Sequence, residues 1–112
     1  MMDDDDRIEA LKAIAHPVRL RILRALVGAE RNVGDIDEIA QVGQPTLSQQ
    51  LAVLRNAGLV QTRRHAKLVF YRIDDRAMSS VSELLDGLAR PAAGSALPRP
   101  RATGAANFAR LT

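Results

Sequence analysis

The stretch from Gln44 to Gly58 constrains the fold of this chain most, because it has the pattern of one complete short helix. Its leucines recur at i, i+4 and i+7, as Leu47, Leu51 and Leu54. This spacing predicts a single apolar stripe. Pro45 suits the first turn of such a helix, where a missing N–H costs nothing, and Gly58 suits its end, where a left-handed residue is favoured. The sequence therefore predicts an amphipathic helix that packs against a core.

The face opposite the leucines is polar but uncharged. It carries Thr46, Ser48, Gln49 and Asn56, whose hydroxyl and amide groups both donate and accept hydrogen bonds. Side chains of these types read base edges in the major groove of DNA. The alternative is an ordinary surface helix that happens to lack charge, and this stretch alone does not decide between the two.

The elements before this helix complete a helix-turn-helix pattern. Helices are expected over about Asp4 to Ala15 and from Pro17 to Val27, with His16 as a helix-start residue rather than a ligand. A third, short helix is expected over about Gly34 to Gln41. A connection of about four residues with a glycine joins it to the leucine-striped helix, which matches a helix-turn-helix. In that motif the second helix enters the groove.

After Gly58 the hydrophobic period changes from that of a helix to that of strands. Two runs of β-forming residues, Leu59 to Thr62 and Leu68 to Ile73, predict a β-hairpin. Its expected tip is Arg63, Arg64, His65, Ala66 and Lys67. A cationic tip of this kind can lie along a phosphate backbone or enter a minor groove. The alternative is a solvated charged turn.

The distribution of charge favours a polyanionic partner. The net charge is only +3, but all 13 carboxylates lie at or before Glu38 or at or after Asp74. The segment between them carries Arg55 and the cations of the hairpin. A segment of this length with positive charges and no negative ones is expected for a protein that binds nucleic acid. Three further arginines, Arg19, Arg21 and Arg24, are expected on the exposed strip of the second helix.

Composition excludes several classes of function. The chain of 112 residues has no cysteine, so disulfides and thiolate metal sites are excluded, and no metal or cofactor is expected. No base–nucleophile constellation can be named, so an enzyme is not expected. No apolar run approaches the roughly 20 residues that span a bilayer and no signal peptide is visible, so a cytoplasmic protein without a membrane partner is expected.

Apolar residues at both ends of the domain predict a homodimer. The last helix is expected over about Asp74 to Ala89. Together the first and last helices carry more apolar surface than the hairpin leaves room to bury, so we expect a two-fold interface between them. Its expected residues are Ile8, Leu11, Met78, Val81, Leu85 and Leu88. We further expect a frayed acidic N-terminus over residues 1–6, a DNA-binding and dimerisation domain over 7–90 and a flexible cationic tail over 91–112.

Four segments of the chain, in their sequences and in their order, resemble the ArsR/SmtB family of winged helix-turn-helix repressors. These segments are AHPVRLRIL (15–23), VGDI (33–36), QPTLSQQLAVLRNAGLV (44–60) and RRHAKLVFYRI (63–73). The resemblance implies a mainly α fold with a small β-hairpin. It also implies a homodimer that binds a near-palindromic DNA operator and is released by an inducer.

By position, the resemblance implies two sets of DNA-binding residues. The expected DNA-reading residues are Gln44, Thr46, Ser48 and Gln49, and the expected wing contacts are Arg63, Arg64 and Lys67. One departure is Ala66, at a wing position that often has glycine in the family. From the residues themselves, a module that binds another protein remains the alternative function, because of the terminal apolar stripes and the uncharged helix face.

The resemblance does not identify the inducer. The helix from Pro45 is most similar to the branch of the family that senses sulfide and persulfide through a cysteine pair, and this chain has none. The places where metal-responsive members carry ligands, here 33–38 and 74–83, hold neither cysteine nor histidine, so a soft or borderline metal lacks its preferred ligands. A small organic inducer bound between helices at the dimer interface is the working hypothesis.

Overall fold

A computed structural model describes residues 2–90, which form five helices and three strands. In chain order the elements are α1 (Asp4–Ile14), α2 (Pro17–Ala25), β1 (Arg31–Asn32), α3 (Val33–Ala40), α4 (Thr46–Asn56), β2 (Val60–His65), β3 (Leu68–Ile73) and α5 (Asp75–Ala89). The tail predicted over 91–112 lies outside the described residues.

The core is aliphatic and is built around α4. Its predicted stripe is confirmed, because Leu47, Leu51 and Leu54 are each at most 1% exposed. They belong to one buried cluster with residues from all the other helices and from the start of β2. Gly58 has φ +78°, which is the left-handed conformation predicted after the helix. Pro45 differs slightly from expectation, because it precedes the first helical residue instead of occupying the first turn.

The predicted hairpin is confirmed, but it is part of a three-stranded antiparallel sheet of order β1-β3-β2. The hairpin register runs from Val60 opposite Ile73 to His65 opposite Leu68. The third strand, β1, was not predicted. It has only two residues, too few for any periodicity, and pairs Arg31 with Tyr71. β2 also extends through His65, so the turn is shorter than the predicted five-residue tip.

Within residues 1–6, where we expected fraying, the aspartates form the cap and first turn of α1. The Asp3 side chain accepts a hydrogen bond from the Asp6 N–H, and the Asp6 side chain accepts one from the Asp3 N–H. This capping box satisfies two N–H groups that the helix leaves open. The negative charges of the first turn also favour the helix dipole.

The helices predicted to dimerise pack against each other within the protomer. Arg7 of α1 donates from Nε to the Ser80 hydroxyl of α5 at 2.9 Å. Val81 is a correction to the predicted interface, because it is 2% exposed and belongs to the core of the protomer. Leu11 and Met78 are half-buried against the same core. The predicted interface residues that remain exposed are Ile8, Leu85 and Leu88.

None of the helices within residues 2–90 combines the length and apolarity needed to cross a membrane.

The start of α5 depends on one carboxylate that links the helix to the sheet. Asp74 accepts a hydrogen bond from the Ala77 N–H at 3.0 Å and from Gln61 Nε2 at 2.7 Å. Gln61 in turn accepts from Arg72 at 2.6 Å. The pKa of Asp74 is lowered from its ordinary value of 3.8, first by the Ala77 N–H and further by Gln61 and the charge of Arg72. The folded state therefore favours the ionised carboxylate.

The lowered pKa of Asp74 predicts a specific dependence of stability on pH. The contribution of the charge is fully present above the ordinary value of 3.8 and is lost as pH falls through the lower folded pKa. We expect Asp74→Asn, which keeps a cap acceptor, to lower the free energy of unfolding at pH 7, and Asp74→Ala to lower it further, by about 1 kcal/mol. Urea unfolding from pH 7 to 2 should show the wild-type and Asn curves converging at low pH. Parallel curves would contradict this account.

Candidate nucleic-acid interface

The outward face of α4 is a row of exposed side chains opposite its leucine stripe. Thr46, Gln49 and Asn56 lie on this row and are exposed, and helical spacing places them about half a turn away from Leu51. All the side chains that we predicted to bind DNA are exposed. They are Gln44, Thr46, Ser48, Gln49, Arg55, Arg63, Arg64, His65 and Lys67.

Two of the predicted DNA-reading residues bind each other. Gln44 Oε1 accepts hydrogen bonds from the Ser48 hydroxyl at 2.8 Å and from the Ser48 N–H at 3.2 Å. Pro45 makes no side-chain cap, so Gln44 supplies an acceptor for the first turn instead. The amide N–H groups of Gln44 are not used in these bonds. Within residues 2–90, Gln49 and Thr46 have no side-chain hydrogen bond, so their polar groups are available to a ligand.

The turn before α4 is held by Asp37. Its Oδ1 accepts from the N–H groups of Val42 and Gly43, both at 2.9 Å. Gln41 and Gly43 have positive φ, +52° and +84°, so the backbone reverses within three residues. By accepting from both N–H groups, Asp37 ties α3 to the turn and so constrains the angle at which α4 begins.

A second contact fixes α4 against α1. Arg19 donates from Nε to the Ala13 carbonyl at 2.6 Å and from NH1 to Gln50 Oε1 at 2.8 Å. Arg21, two residues further along α2 and so on a different face of that helix, donates to the carbonyls of Ala40 and Gln41 at the end of α3. The prediction that Arg19 lies on an exposed strip is therefore wrong. The contacts with Gln50 and Ala40 were not predicted because these partners lie 31 and 19 residues from their arginines.

The wing differs from the prediction at Arg63. This guanidinium is 2.7 Å from Glu30 Oε1 and lies 5.1 Å from the centroid of the Phe70 ring. The hydrogen bond to Glu30 raises the pKa of Arg63, so the arginine stays charged, but the carboxylate offsets that charge. Arg63 is therefore paired within the protomer, so the phosphate contact that the resemblance implied would require this pair to open.

The remaining cations of the predicted surface are free in the described part of the chain. Arg64, Lys67 and Arg55 make no ion pair or side-chain hydrogen bond within residues 2–90. Ala66 and Lys67 form the two-residue turn between His65 and Leu68. Ala66 has φ +56°, a conformation that favours glycine and costs an alanine stability.

No group of three or more His, Cys, Asp or Glu side chains that could hold a metal ion occurs within residues 2–90. The interface described above is instead a polar helix face with cations beside it. Such a surface can donate to and accept from base edges and can contact phosphates.

Comparison with known proteins decides the family. The model described as bacterial regulatory protein, arsR family, matches residues 16–62. The transcriptional activator HlyU of Vibrio cholerae is 42% identical over 78 residues, which are 70% of this chain and 72% of that protein. The chain belongs to the arsR family of bacterial regulatory proteins. The biofilm growth-associated repressor of Xylella fastidiosa is 51% identical over 65 residues, which are 58% of this chain but only 57% of the repressor.

Solved structures agree with this assignment and show the winged helix-turn-helix fold. The transcriptional repressor BigR of Xylella fastidiosa superposes with a TM-score of 0.59 at 42% identity, covering 75% of this chain and 87% of that one. HlyU of Vibrio cholerae superposes with a TM-score of 0.63 at 34% identity, covering 80% of this chain and all of that one. The predicted family and fold are therefore confirmed.

The role of Asp37 in the turn predicts an effect on DNA binding from a residue that does not face the groove. Asp37→Ala leaves the N–H groups of Val42 and Gly43 without their acceptor, which should lower the free energy of unfolding by about 1–3 kcal/mol. It should also weaken DNA binding, because α4 loses a fixed angle. Glu38→Ala, at the neighbouring exposed position, is the matched control. Urea unfolding and duplex binding measure the two effects; equal behaviour of both variants would contradict this role.

Proposed function

We propose that the protein is a sequence-specific DNA-binding transcriptional regulator, a repressor that binds a near-palindromic operator as a homodimer. The observation that carries the proposal is the exposed, uncharged polar row of α4 beside a wing with free cations. The major groove, about 12 Å wide, admits a helix, and glutamine pairs with adenine through two hydrogen bonds. Gln49 has the free amide that such a pair requires.

The surroundings of this row favour a duplex over other partners. No carboxylate occurs from Ile39 to Ile73, so α4 and the hairpin themselves contribute no negative charge that would repel phosphates. Arg64 and Lys67 on the wing, and Arg55 near the end of α4, provide phosphate contacts that set register without reading sequence. A surface that bound an acidic protein would share these charges but would not need the amide and hydroxyl row.

The apolar side chains that the protomer leaves uncovered support the proposed homodimer. Ile8 of α1 and Leu85 and Leu88 of α5 are all at least 47% exposed. A two-fold axis through this surface would bury all three side chains and present two copies of α4 to successive half-sites, about one helical turn apart.

The names of the relatives support a role in transcriptional regulation, but they differ on whether transcription is lowered or raised. Two of them are a repressor from Xylella fastidiosa and an activator from Vibrio cholerae. Repression is the simpler function for a protein whose described residues contain only the winged helix-turn-helix. In vitro transcription from a promoter that overlaps the operator distinguishes the two, because a repressor lowers transcript yield and an activator raises it.

We further propose that the inducer is a small organic molecule that binds between helices at the dimer interface. The chain has no cysteine, and the segments 33–38 and 74–83 contain no histidine. Zinc, cadmium, peroxide and polysulfide should therefore leave operator binding unchanged. Release of the operator by any of the four would contradict this part of the proposal.

The decisive experiment selects bound duplexes from a random pool and then tests Gln49. Loss of its two hydrogen bonds in Gln49→Ala should weaken binding to the selected operator by about 1–3 kcal/mol and relax the preference at one base pair. Unchanged affinity and unchanged preference would show that α4 does not read bases through Gln49. Binding without any sequence preference that disappears in about 0.2 M salt would instead favour a protein-interaction module.

Arg64 gives the contrasting outcome, because a phosphate contact carries no sequence information. We expect Arg64→Ala to weaken all duplexes alike and to reduce the slope of log affinity against log salt by about one unit. Arg63→Ala is the matched control, because Arg63 is already paired with Glu30. A larger decrease in this slope for Arg63→Ala than for Arg64→Ala would show that the Arg63–Glu30 pair opens when the protein binds DNA.

A further inference from the structure

One branched aliphatic side chain lies within the polar row of α4. Val53 is 39% exposed, whereas its neighbours Leu51 and Leu54 are buried in the core. It follows Gln49 by four residues, so the two side chains lie next to each other on the same face of the helix. Val53 therefore belongs to the surface that would meet the DNA and not to the core.

The spacing of the row fixes what Val53 can reach. Four residues correspond to about 6 Å along a helix axis, and base pairs are stacked about 3.4 Å apart. If Gln49 contacts one base, then Val53 lies within about two base pairs of it along the groove. A branched aliphatic side chain cannot form hydrogen bonds there, so it requires an apolar partner.

The major groove offers one apolar group, the C5-methyl of thymine. We propose that Val53 is a specificity-determining residue that packs against a thymine methyl within about two base pairs of the base read by Gln49. This inference rests on the proposed DNA-binding function and adds a base preference that the polar row alone does not give. Cytosine, which presents no methyl at that position, would leave the Val53 side chain against polar groups.

The test removes the methyl group from either partner. Each thymine of the selected operator half-site is replaced in turn by uracil, which has the same hydrogen-bonding groups without the methyl. For the wild-type protein we expect uracil at one position to weaken binding about three- to five-fold, the loss expected for one buried methyl group. For Val53→Ala the thymine duplex should bind more weakly by a similar factor, and uracil at that position should cause no further loss. This non-additivity assigns the contact to the pair.

Two further variants keep the test interpretable. Val53→Thr retains the branched shape and one methyl, so its loss should be smaller than that of Val53→Ala. Val27→Ala makes the same substitution at a 69% exposed valine after α2 and should leave both affinity and the uracil profile unchanged. Because alanine forms helices better than valine, Val53→Ala is expected to fold, which its thermal unfolding curve checks.

The outcomes separate this inference from the function on which it rests. A selected operator whose uracil profile is the same for wild type and Val53→Ala overturns the role of Val53 and leaves the proposed function intact. An equal loss for Val27→Ala also overturns it, because the effect would not come from the groove face. Failure to select any sequence overturns the proposed function and this inference together.

Discussion

The burial of one leucine stripe determines the rest of this structure. With only 3% aromatic residues, the core depends on many aliphatic side chains, and those of α4 are among the most completely buried. Rotation of α4 about its axis would expose these leucines to water at a cost of about 1.5–3 kcal/mol each. The same burial therefore fixes which side chains of α4 face outward, and a stability constraint on Leu47, Leu51 and Leu54 becomes a constraint on the surface offered to DNA.

Arginines provide the polar counterpart of this packing. Arg19, Arg31 and Arg21 donate to carbonyl groups at the C-terminal ends of α1, α2 and α3, respectively. These carbonyls have no partner within their own helices, and a cation there also complements the helix dipole. Leucine packing is not directional, whereas these hydrogen bonds fix the position of each helix end. Arg19 also donates to Gln50 Oε1 and so connects α4 to the end of α1.

Local pattern predicted the helices, the hairpin and the exposed reading face, because each depends on the period of nearby side chains. The features that were missed depend on partners distant in sequence. Arg63 and Glu30 are 33 residues apart, and nothing in either segment indicates their pairing. β1 has two residues and is a strand only because β3 lies beside it. The same reason explains Val81, whose helical spacing is that of an interface residue although it packs within the protomer.

The pairing of Arg63 changes how the proposed interface would gain its affinity. With that charge offset by Glu30, the free cations identified near α4 and in the wing are Arg55, Arg64 and Lys67. Phosphate contacts provide affinity without sequence preference, so few of them means weak binding to random DNA. Among the described residues, a larger share of the proposed binding energy would then come from the base-facing row of α4. A surface with few free cations and a row of amide, hydroxyl and methyl groups thus favours discrimination between sequences over general affinity for DNA.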